Sequence, residues 1–183
     1  MSLAAITAFL VLTSTPVDDG PPTFALGGRA TGWLGGYASP GLGGRLQIRA
    51  FEDLGLQLFS DNYLREVEAG SWRDHVIGFG LYMPTLLETG DLYLAPVLGA
   101  CVDFRFARSS HPDAPETGDV WFGVHAGALT ELFVHRHLSV TLEAELYGYV
   151  GHESTNEAWS AEVRDTLGLQ MVAQLAVGAN LWL

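Results

Sequence analysis

DTLGLQMVAQLAVGANLWL, residues 165–183, alternates apolar and mixed positions from its third residue to its last. Every second residue from Leu167 to Leu183 is apolar, and the residues between them include glycine, glutamine and asparagine. A period of two sends these two sets to opposite faces of a β-strand. The apolar face is longer than a usual strand of about 5–6 residues, and strands that cross a membrane need such length. The stretch therefore predicts a transmembrane β-strand.

The composition favours one domain built from strands. A length of 183 residues suits a single domain. Although 48% of the residues are hydrophobic, the central part has no apolar run of about 18 residues, the length that a membrane helix needs. The 22 glycines suit strand bends and a crowded barrel wall better than helix interiors.

Charge and cysteine content exclude several classes of function. A formal net charge of −12 argues against nucleic acid as a partner. The lone Cys101 excludes an intrachain disulfide and a cysteine zinc site. All nine basic residues are arginine, whose guanidinium can bind a carboxylate with two hydrogen bonds. No cofactor is expected.

The N-terminal segment, residues 1–22, is predicted to be a signal peptide with a short linker. Residues 3–12, LAAITAFLVL, have the length and apolar character of a secretory h-region and are too short to span a bilayer as a helix. The segment lacks a basic start and an A-x-A-like cleavage site. An ordinary buried helix is the alternative interpretation. The folded domain is then expected over residues 23–183.

Eight strand segments are predicted, separated by clusters of Pro, Gly, Asp, Ser and Asn. With the N-terminus on the periplasmic side, the odd-numbered connections face outside, and these include the longer loops at 67–71, 108–118 and 151–164. Short periplasmic turns with longer external loops are typical of outer-membrane barrels. The predicted strands are residues 23–36, 40–51, 54–66, 72–83, 92–107, 119–134, 138–150 and 165–183.

The two faces of the predicted strands differ in chemistry. In residues 138–150 one face is apolar, whereas the other holds Thr141, Glu143 and Glu145. Backbone groups in hydrocarbon must all be paired, so a membrane sheet must close on itself. Eight tilted strands close with just enough interior room for side chains. The predicted fold class is therefore all-β: an eight-stranded antiparallel up-and-down transmembrane β-barrel with short periplasmic turns and longer extracellular loops.

Proline and the aromatic residues lead to expectations about the barrel wall. Pro96 cannot donate to the ladder within residues 92–107, so a local bulge is expected there. Aromatic residues concentrate near strand ends and are expected to form belts at the two membrane interfaces. These residues are Tyr37, Phe51, Tyr63, Trp72, Tyr82, Tyr93, Phe104, Phe106, Trp121, Phe122, Phe133 and Trp182.

The chain resembles the small eight-stranded outer-membrane β-barrels, the class that includes the OmpA-type transmembrane domain. The resemblance covers roughly residues 23–183 and lies in strand count, loop alternation and the C-terminal strand. It implies a monomer in the bacterial outer membrane, with outer-membrane lipid or lipopolysaccharide and the barrel-assembly machinery as partners. Where the family has an aromatic last residue, this chain has Leu183, with Trp182 beside it. The expected assembly signal is Leu175, Val177, Ala179, Leu181, Trp182 and Leu183.

The charged faces form the sharpest candidate constellation, an ion-pair network inside the barrel. Removing one partner of a buried pair costs about 3–5 kcal/mol, so these charges must be paired or solvated. We expect the arginines of the first two strands to face the glutamates of the sixth and seventh strands. A filled, non-conducting interior is the main interpretation, and a narrow gated pore is the alternative. The network comprises Arg29, Arg45, Arg49, Arg105, Asp103, Glu131, Glu143 and Glu145, with Asp119, His125, Gln170 and Gln174 on the same face.

Two other functions would use parts of the same sequence. His152, Glu153 and Ser154 resemble the His-x-Ser pair of barrel enzymes that modify lipopolysaccharide, but no orienting acid is identifiable. We therefore predict no catalytic residue and no enzyme activity. A soluble lipocalin-like barrel that binds an apolar ligand would place leucines inside, which inverts the burial expected for Leu142 and Glu143.

Histidines and acidic loops complete the candidate sites. His135 and His137 flank Arg136, whose charge disfavours a metal cation, so no metal site is predicted. We hypothesise that the acidic external loops bridge to lipopolysaccharide phosphates through divalent cations. The sequence thus indicates an outer-membrane barrel with a structural or loop-mediated binding role. The acidic loop residues are Asp113, Glu116, Glu153, Glu157, Glu162 and Asp165.

Overall fold

The computed structural model describes residues 23–34, 38–51, 54–67, 70–86, 91–109, 117–153 and 166–183. The predicted signal peptide, residues 1–22, lies outside the described residues. Each predicted strand segment is a strand in the structure, so the alternation of apolar and polar residues was a sound guide. The strands are β1 (Phe24–Leu34), β2 (Ser39–Phe51), β3 (Leu54–Val67), β4 (Gly70–Tyr82), β5 (Leu92–Ser109), β6 (Thr117–His135), β7 (Leu138–Glu153) and β8 (Thr166–Trp182).

The eight strands form a closed antiparallel barrel. Each strand pairs with the next one along the chain, and β1 pairs with β8, for example at Arg29 and Gly178. A two-residue strand, Thr85–Leu86, pairs with β5 beside the β4–β5 connection. Within the described residues, no helix is long and apolar enough to cross a membrane. The predicted up-and-down fold is confirmed.

The barrel has two ends, which differ in the lengths of the connections between strands. The terminus end holds the start of β1, the end of β8 and the connections 52–53, 83–91 and 136–137. The loop end holds the connections 35–38, 68–69, 110–116 and 154–165. The expected longer loop at 67–71 is wrong, because β3 and β4 stay paired as far as Val67 and Gly70. Gly70 begins β4 with φ of 152°, a conformation that L side chains rarely adopt and that glycine adopts freely.

The apolar face of every strand points outward. Leu142 is 55% exposed, whereas its neighbour Glu143 is 1% exposed. In the terminal strand Leu169 is 80% exposed, while Arg45 on the inner side of the wall is 4% exposed. The soluble lipocalin-like alternative is therefore wrong, because it requires the reverse burial. A barrel that exposes leucines and encloses arginines matches hydrocarbon outside and a polar interior.

Pro96 causes no bulge, so that prediction is wrong. Pro96 pairs with Ala128 in an unshifted register. Its carbonyl accepts a hydrogen bond from the Met83 amide at 3.3 Å, just beyond the end of β4. Since the N and C=O of one strand residue point to the same neighbour, the missing donor faces a place where β4 has already ended. The irregularities lie between Arg49 and Phe51 and between Phe133 and His135.

The expected aromatic belts are wrong for several residues, which fill the interior instead. Tyr63, Tyr82, Trp121 and Trp182 are each at most 4% exposed. They occupy inward positions of their strands, because strand parity outweighs the preference of amphipathic rings for an interface. Phe51, Phe106 and Phe122 do lie on the exterior and are more than half exposed.

Candidate functional site

The centre of the interior holds four charged side chains in one hydrogen-bonded group, the central ion cluster of Arg29, Arg45, Asp61 and Glu143. Arg29 donates from Nε and Nη2 to the two Asp61 carboxylate oxygens, at 2.9 and 2.6 Å. Its Nη1 donates to Glu143 Oε2 at 2.6 Å. Arg45 Nη1 donates to the other oxygen of Glu143. The cluster therefore joins β1, β2, β3 and β7 across the barrel.

Every member of the central ion cluster is withdrawn from solvent. Their side chains are 0–1% exposed. Arg45 also donates to Thr141 Oγ1 and, from Nε, to Asn180 Oδ1 at 3.0 Å. Bidentate pairs and further hydrogen bonds are what allow ionised groups to be buried. The arrangement is thus a fully bonded network and not a set of isolated charges.

A glycine on the facing strand makes room for the cluster. Gly43 of β2 lies directly opposite Asp61 of β3. A Cβ at Gly43 would overlap the Asp61 carboxylate, so no larger residue fits without moving it. Asp61 is absent from the expected network, although the period of two places it on the inward face of β3. The signal available was its charge at an inward position of the strand, the same parity that placed the other network residues inside.

A second group, the terminus-end cluster, is built around Glu131 and Arg49. Arg49 Nη2 lies 3.4 Å from Glu131 Oε2, and its guanidinium stacks over Trp182 at 4.2 Å. Glu131 Oε1 accepts hydrogen bonds from Trp182 Nε1 at 3.0 Å, Asn180 Nδ2 at 2.9 Å and the Ser139 hydroxyl. One carboxylate therefore joins β2, β6, β7 and β8 near the start of β1 and the end of β8.

Glu145 pairs with a histidine, not with an arginine. Its Oε2 lies 3.3 Å from His125 Nδ1 and accepts a hydrogen bond from Tyr147 at 2.6 Å. The other ring nitrogen of His125 lies 3.1 Å from the Phe79 carbonyl oxygen. The His125 and Tyr147 rings stack with centroids 4.9 Å apart. This group belongs to β6 and β7 and lies on the loop-end side of the central ion cluster.

Arg105 pairs within its own strand, near the loop end. Its Nε donates to Asp103 Oδ2 at 2.6 Å, and its Nη1 donates to Gln170 Oε1 at 2.6 Å. The guanidinium also lies 4.2 Å from the Trp121 ring centroid. Asp119 faces Arg105 across the β5–β6 ladder. The expected network residues thus divide into separate groups along the barrel axis.

Aromatic rings occupy the interior between these groups. Trp33 and Tyr63 stack with centroids 4.1 Å apart, and Trp33 lies 6.0 Å from Tyr149. Tyr147 and Tyr149 stack at 5.8 Å. All four belong to the inward faces and are at most 5% exposed. The interior is therefore packed with rings as well as ion pairs.

Two other candidate sites were the His-x-Ser pair and the histidines around Arg136. The candidate His-x-Ser pair lies outside the described residues, since these include neither Ser154 nor the side chain of His152. His137 lies 3.0 Å from the Trp182 carbonyl through Nδ1 and accepts from Arg136 through Nε2. Both of its nitrogens are engaged, which leaves none for a metal. In the described ranges, no group of three His, Cys, Asp or Glu residues is arranged to hold a metal ion.

The terminal strand presents two different faces. Leu175, Val177 and Leu183 are 40–56% exposed on the exterior. Trp182 is fully buried and does not share that face. The amide of Leu183 donates to the Phe24 carbonyl at 2.8 Å, which completes the seam between β8 and β1.

Comparison with known proteins identifies the fold. No family model and no curated protein matches the sequence. A major outer membrane protein from Thermus thermophilus is similar with a TM-score of 0.61 and 11% identity, covering 90% of this chain and 100% of that one. Neisserial surface protein A is similar with a TM-score of 0.54 and 12% identity, over 90% and 98% of the two chains. Ail of Yersinia pestis is similar with a TM-score of 0.52 and 14% identity, over 87% and 95%.

Proposed function

We infer a location in the bacterial outer membrane, because the chain has the fold of the small eight-stranded barrels found there and an apolar exterior that suits lipid. From this premise we propose a monomeric outer-membrane protein with a structural or loop-mediated binding role and a plugged interior. The observation that carries the proposal is the inverted polarity of the wall, with Leu142 exposed and Glu143 enclosed. We propose no catalytic activity.

The plug is argued from the central ion cluster. Glu143 is held by two arginines, and Arg29 is held by two carboxylates. An ion that passes this level has to displace these partners, and each displaced charge is then left buried without compensation. An eight-stranded barrel has interior room for side chains but little more. Both arguments support a non-conducting interior over a gated pore.

Planar-bilayer recording tests the plug. The purified barrel is expected to insert without stable unitary conductance. A double variant that removes both long side chains, Arg29→Ala with Glu143→Ala, is expected to produce measurable conductance, because it deletes the centre of the cluster. Stable channels from the unmodified protein contradict the plug and favour the narrow gated pore. Membrane fractionation with heat-modifiable gel mobility tests the outer-membrane barrel itself.

Loop-mediated binding rests on the connections gathered at one end. The longest connections at the loop end are residues 110–116 and 154–165. Their acidic side chains include Asp113, Glu157 and Glu162. We propose that they bind lipopolysaccharide phosphates through divalent cations, which neutralise both partners. Chelation is expected to reduce retention of labelled lipopolysaccharide, and unchanged retention counts against the bridge.

Recognition by the barrel-assembly machinery is proposed from the exterior of β8. Alternate apolar residues are exposed as far as Leu183. Leu183→Phe supplies the aromatic last residue of the resembled family, so it is expected to raise the yield of heat-modifiable barrel in cells. An unchanged yield argues that the assembly machinery does not recognise the side chain at position 183.

A further inference from the structure

We propose that the exterior wall at the loop end binds the phosphorylated sugar headgroup of an outer-leaflet glycolipid, with Arg73 as the central ligand. The proposal rests on the membrane location proposed above. It names a site that is separate from the interior and from the acidic loops. The site, termed the Arg73 strip, consists of Asn62, Ser71, Arg73, His75 and Arg108.

Arg73 emerges from the wall between two apolar side chains. In the β3–β4–β5 ladder it lies directly opposite Leu64 on one side and Phe106 on the other. These neighbours are 48% and 53% exposed on the lipid-facing exterior. The arginine stem can lie along this apolar surface while its guanidinium reaches the polar boundary of the bilayer.

The Arg73 guanidinium has no protein counter-ion among the described residues. This differs from the inward Arg29, Arg45 and Arg49, each of which contacts a carboxylate. Glu66 lies on the same exterior face, opposite Ser71, but within the described part of the chain it forms no ion pair with Arg73. An exposed guanidinium at a membrane boundary is matched by phosphate, which it can bind with two parallel hydrogen bonds.

Polar side chains continue on both sides of Arg73 along β4. His75 lies on the terminus-end side of Arg73, directly opposite Asn62. Its Nδ1 is 2.8 Å from Asn62 Oδ1. Ser71 lies nearer the loop end, directly opposite Arg108. Arg108 already contacts another group and adds positive charge to the strip. A cation flanked by hydroxyl, amide and imidazole groups suits a headgroup that carries both phosphate and sugar hydroxyls.

The contrast with the adjoining wall supports a specific site. One step further toward the terminus end, Ser60 faces Ile77, and beyond that Leu58 faces Phe79. Apart from Ser60, these exterior positions are apolar, as on the rest of the barrel. On a chain with a net charge of −12, a polar strip centred on arginine is a local exception that favours an anionic ligand.

Native mass spectrometry of the full chain, folded in detergent, tests the site. The probes are lipid A, dephosphorylated lipid A and phosphatidylglycerol. Arg73→Gln is expected to reduce the bound fraction of lipid A about fivefold, the effect of one exposed charge-assisted contact. Arg136→Gln is the matched control, because Arg136 is an exposed arginine in the turn at the terminus end. It is expected to bind lipid A as the unmodified protein does.

Three results overturn the proposal. Equal binding of lipid A by the Arg73 and Arg136 variants shows that Arg73 does not bind the headgroup. If dephosphorylated lipid A binds as well as lipid A, the site does not bind phosphate. If phosphatidylglycerol binds as well as lipid A, the site does not prefer a sugar headgroup. Heat-modifiable mobility shows that each variant is folded. A barrel that fails to insert into bilayers refutes the proposed function instead, which separates the two failures.

Discussion

Neutralising Glu143 is the sharpest perturbation of the interior. Glu143→Gln keeps the shape of the side chain but removes the negative charge shared by Arg29 and Arg45. Arg29 retains Asp61 with two hydrogen bonds. Arg45 is left with neutral acceptors only, at a site where its side chain is 0% exposed.

The expected cost follows from that uncompensated cation. Breaking a buried pair by removing one partner costs about 3–5 kcal/mol. Because the glutamine oxygen can still accept one hydrogen bond, we expect a loss near the lower limit, about 3 kcal/mol in the free energy of unfolding. Urea unfolding in lipid vesicles, followed by tryptophan fluorescence and gel mobility, measures this loss.

Two further variants decide whether charge is the cause. Glu66→Gln removes an exposed carboxylate at the loop end and is expected to leave the unfolding midpoint unchanged. Adding Arg45→Gln to Glu143→Gln removes the orphaned cation and is expected to restore more than half of the lost stability. The reasoning is refuted if Glu143→Gln unfolds at the same urea concentration as Glu66→Gln, or if the double variant is less stable than the single one.

Three other perturbations test the packing, the seam and the membrane face. Gly43→Ala is expected to cost about 1–3 kcal/mol in urea unfolding, because its Cβ would overlap a buried carboxylate. Gly32→Ala meets no atom within 4 Å and is expected to be neutral, so equal losses contradict the account. Trp182→Phe removes the indole donor to Glu131 and is expected to cost about 1–3 kcal/mol in the same assay; no loss argues that the donor is replaceable. Leu142→Arg places a cation on the exterior face and is expected to reduce stability by at most about 2–4 kcal/mol, the cost of such a cation at the bilayer midplane, measured by folding into vesicles; unchanged folding refutes the membrane-facing assignment.

Strand positions and their faces could be predicted from the sequence, because a period of two assigns every residue to one side of the wall. That rule placed Arg29, Arg45 and Glu143 inside. It does not say which inward side chains meet, since pairing across the barrel depends on register and on side-chain rotamers. Arg105, for which no partner was predicted, contacts Asp103 in its own strand.

Connections and aromatic residues were harder to predict, for different reasons. Polar residues near 67–71 suggested a loop, but ladder pairing continues to Val67 and Gly70. An interfacial belt and a filled interior both use aromatic residues near strand ends, so composition did not separate them. Trp121 and Trp182 follow the parity of their strands. Parity was the better guide wherever it conflicted with residue type.

The seam between Phe24 and Leu183 imposes an order on biogenesis. Strand β1 comes first in the chain, yet one of its edges is paired only by β8, which follows every other strand. Before β8 is in place, that edge presents unpaired amides and carbonyls that can pair with the wrong strand. The interval before β8 pairs with β1 is therefore the stage at which a wrong strand pairing can form.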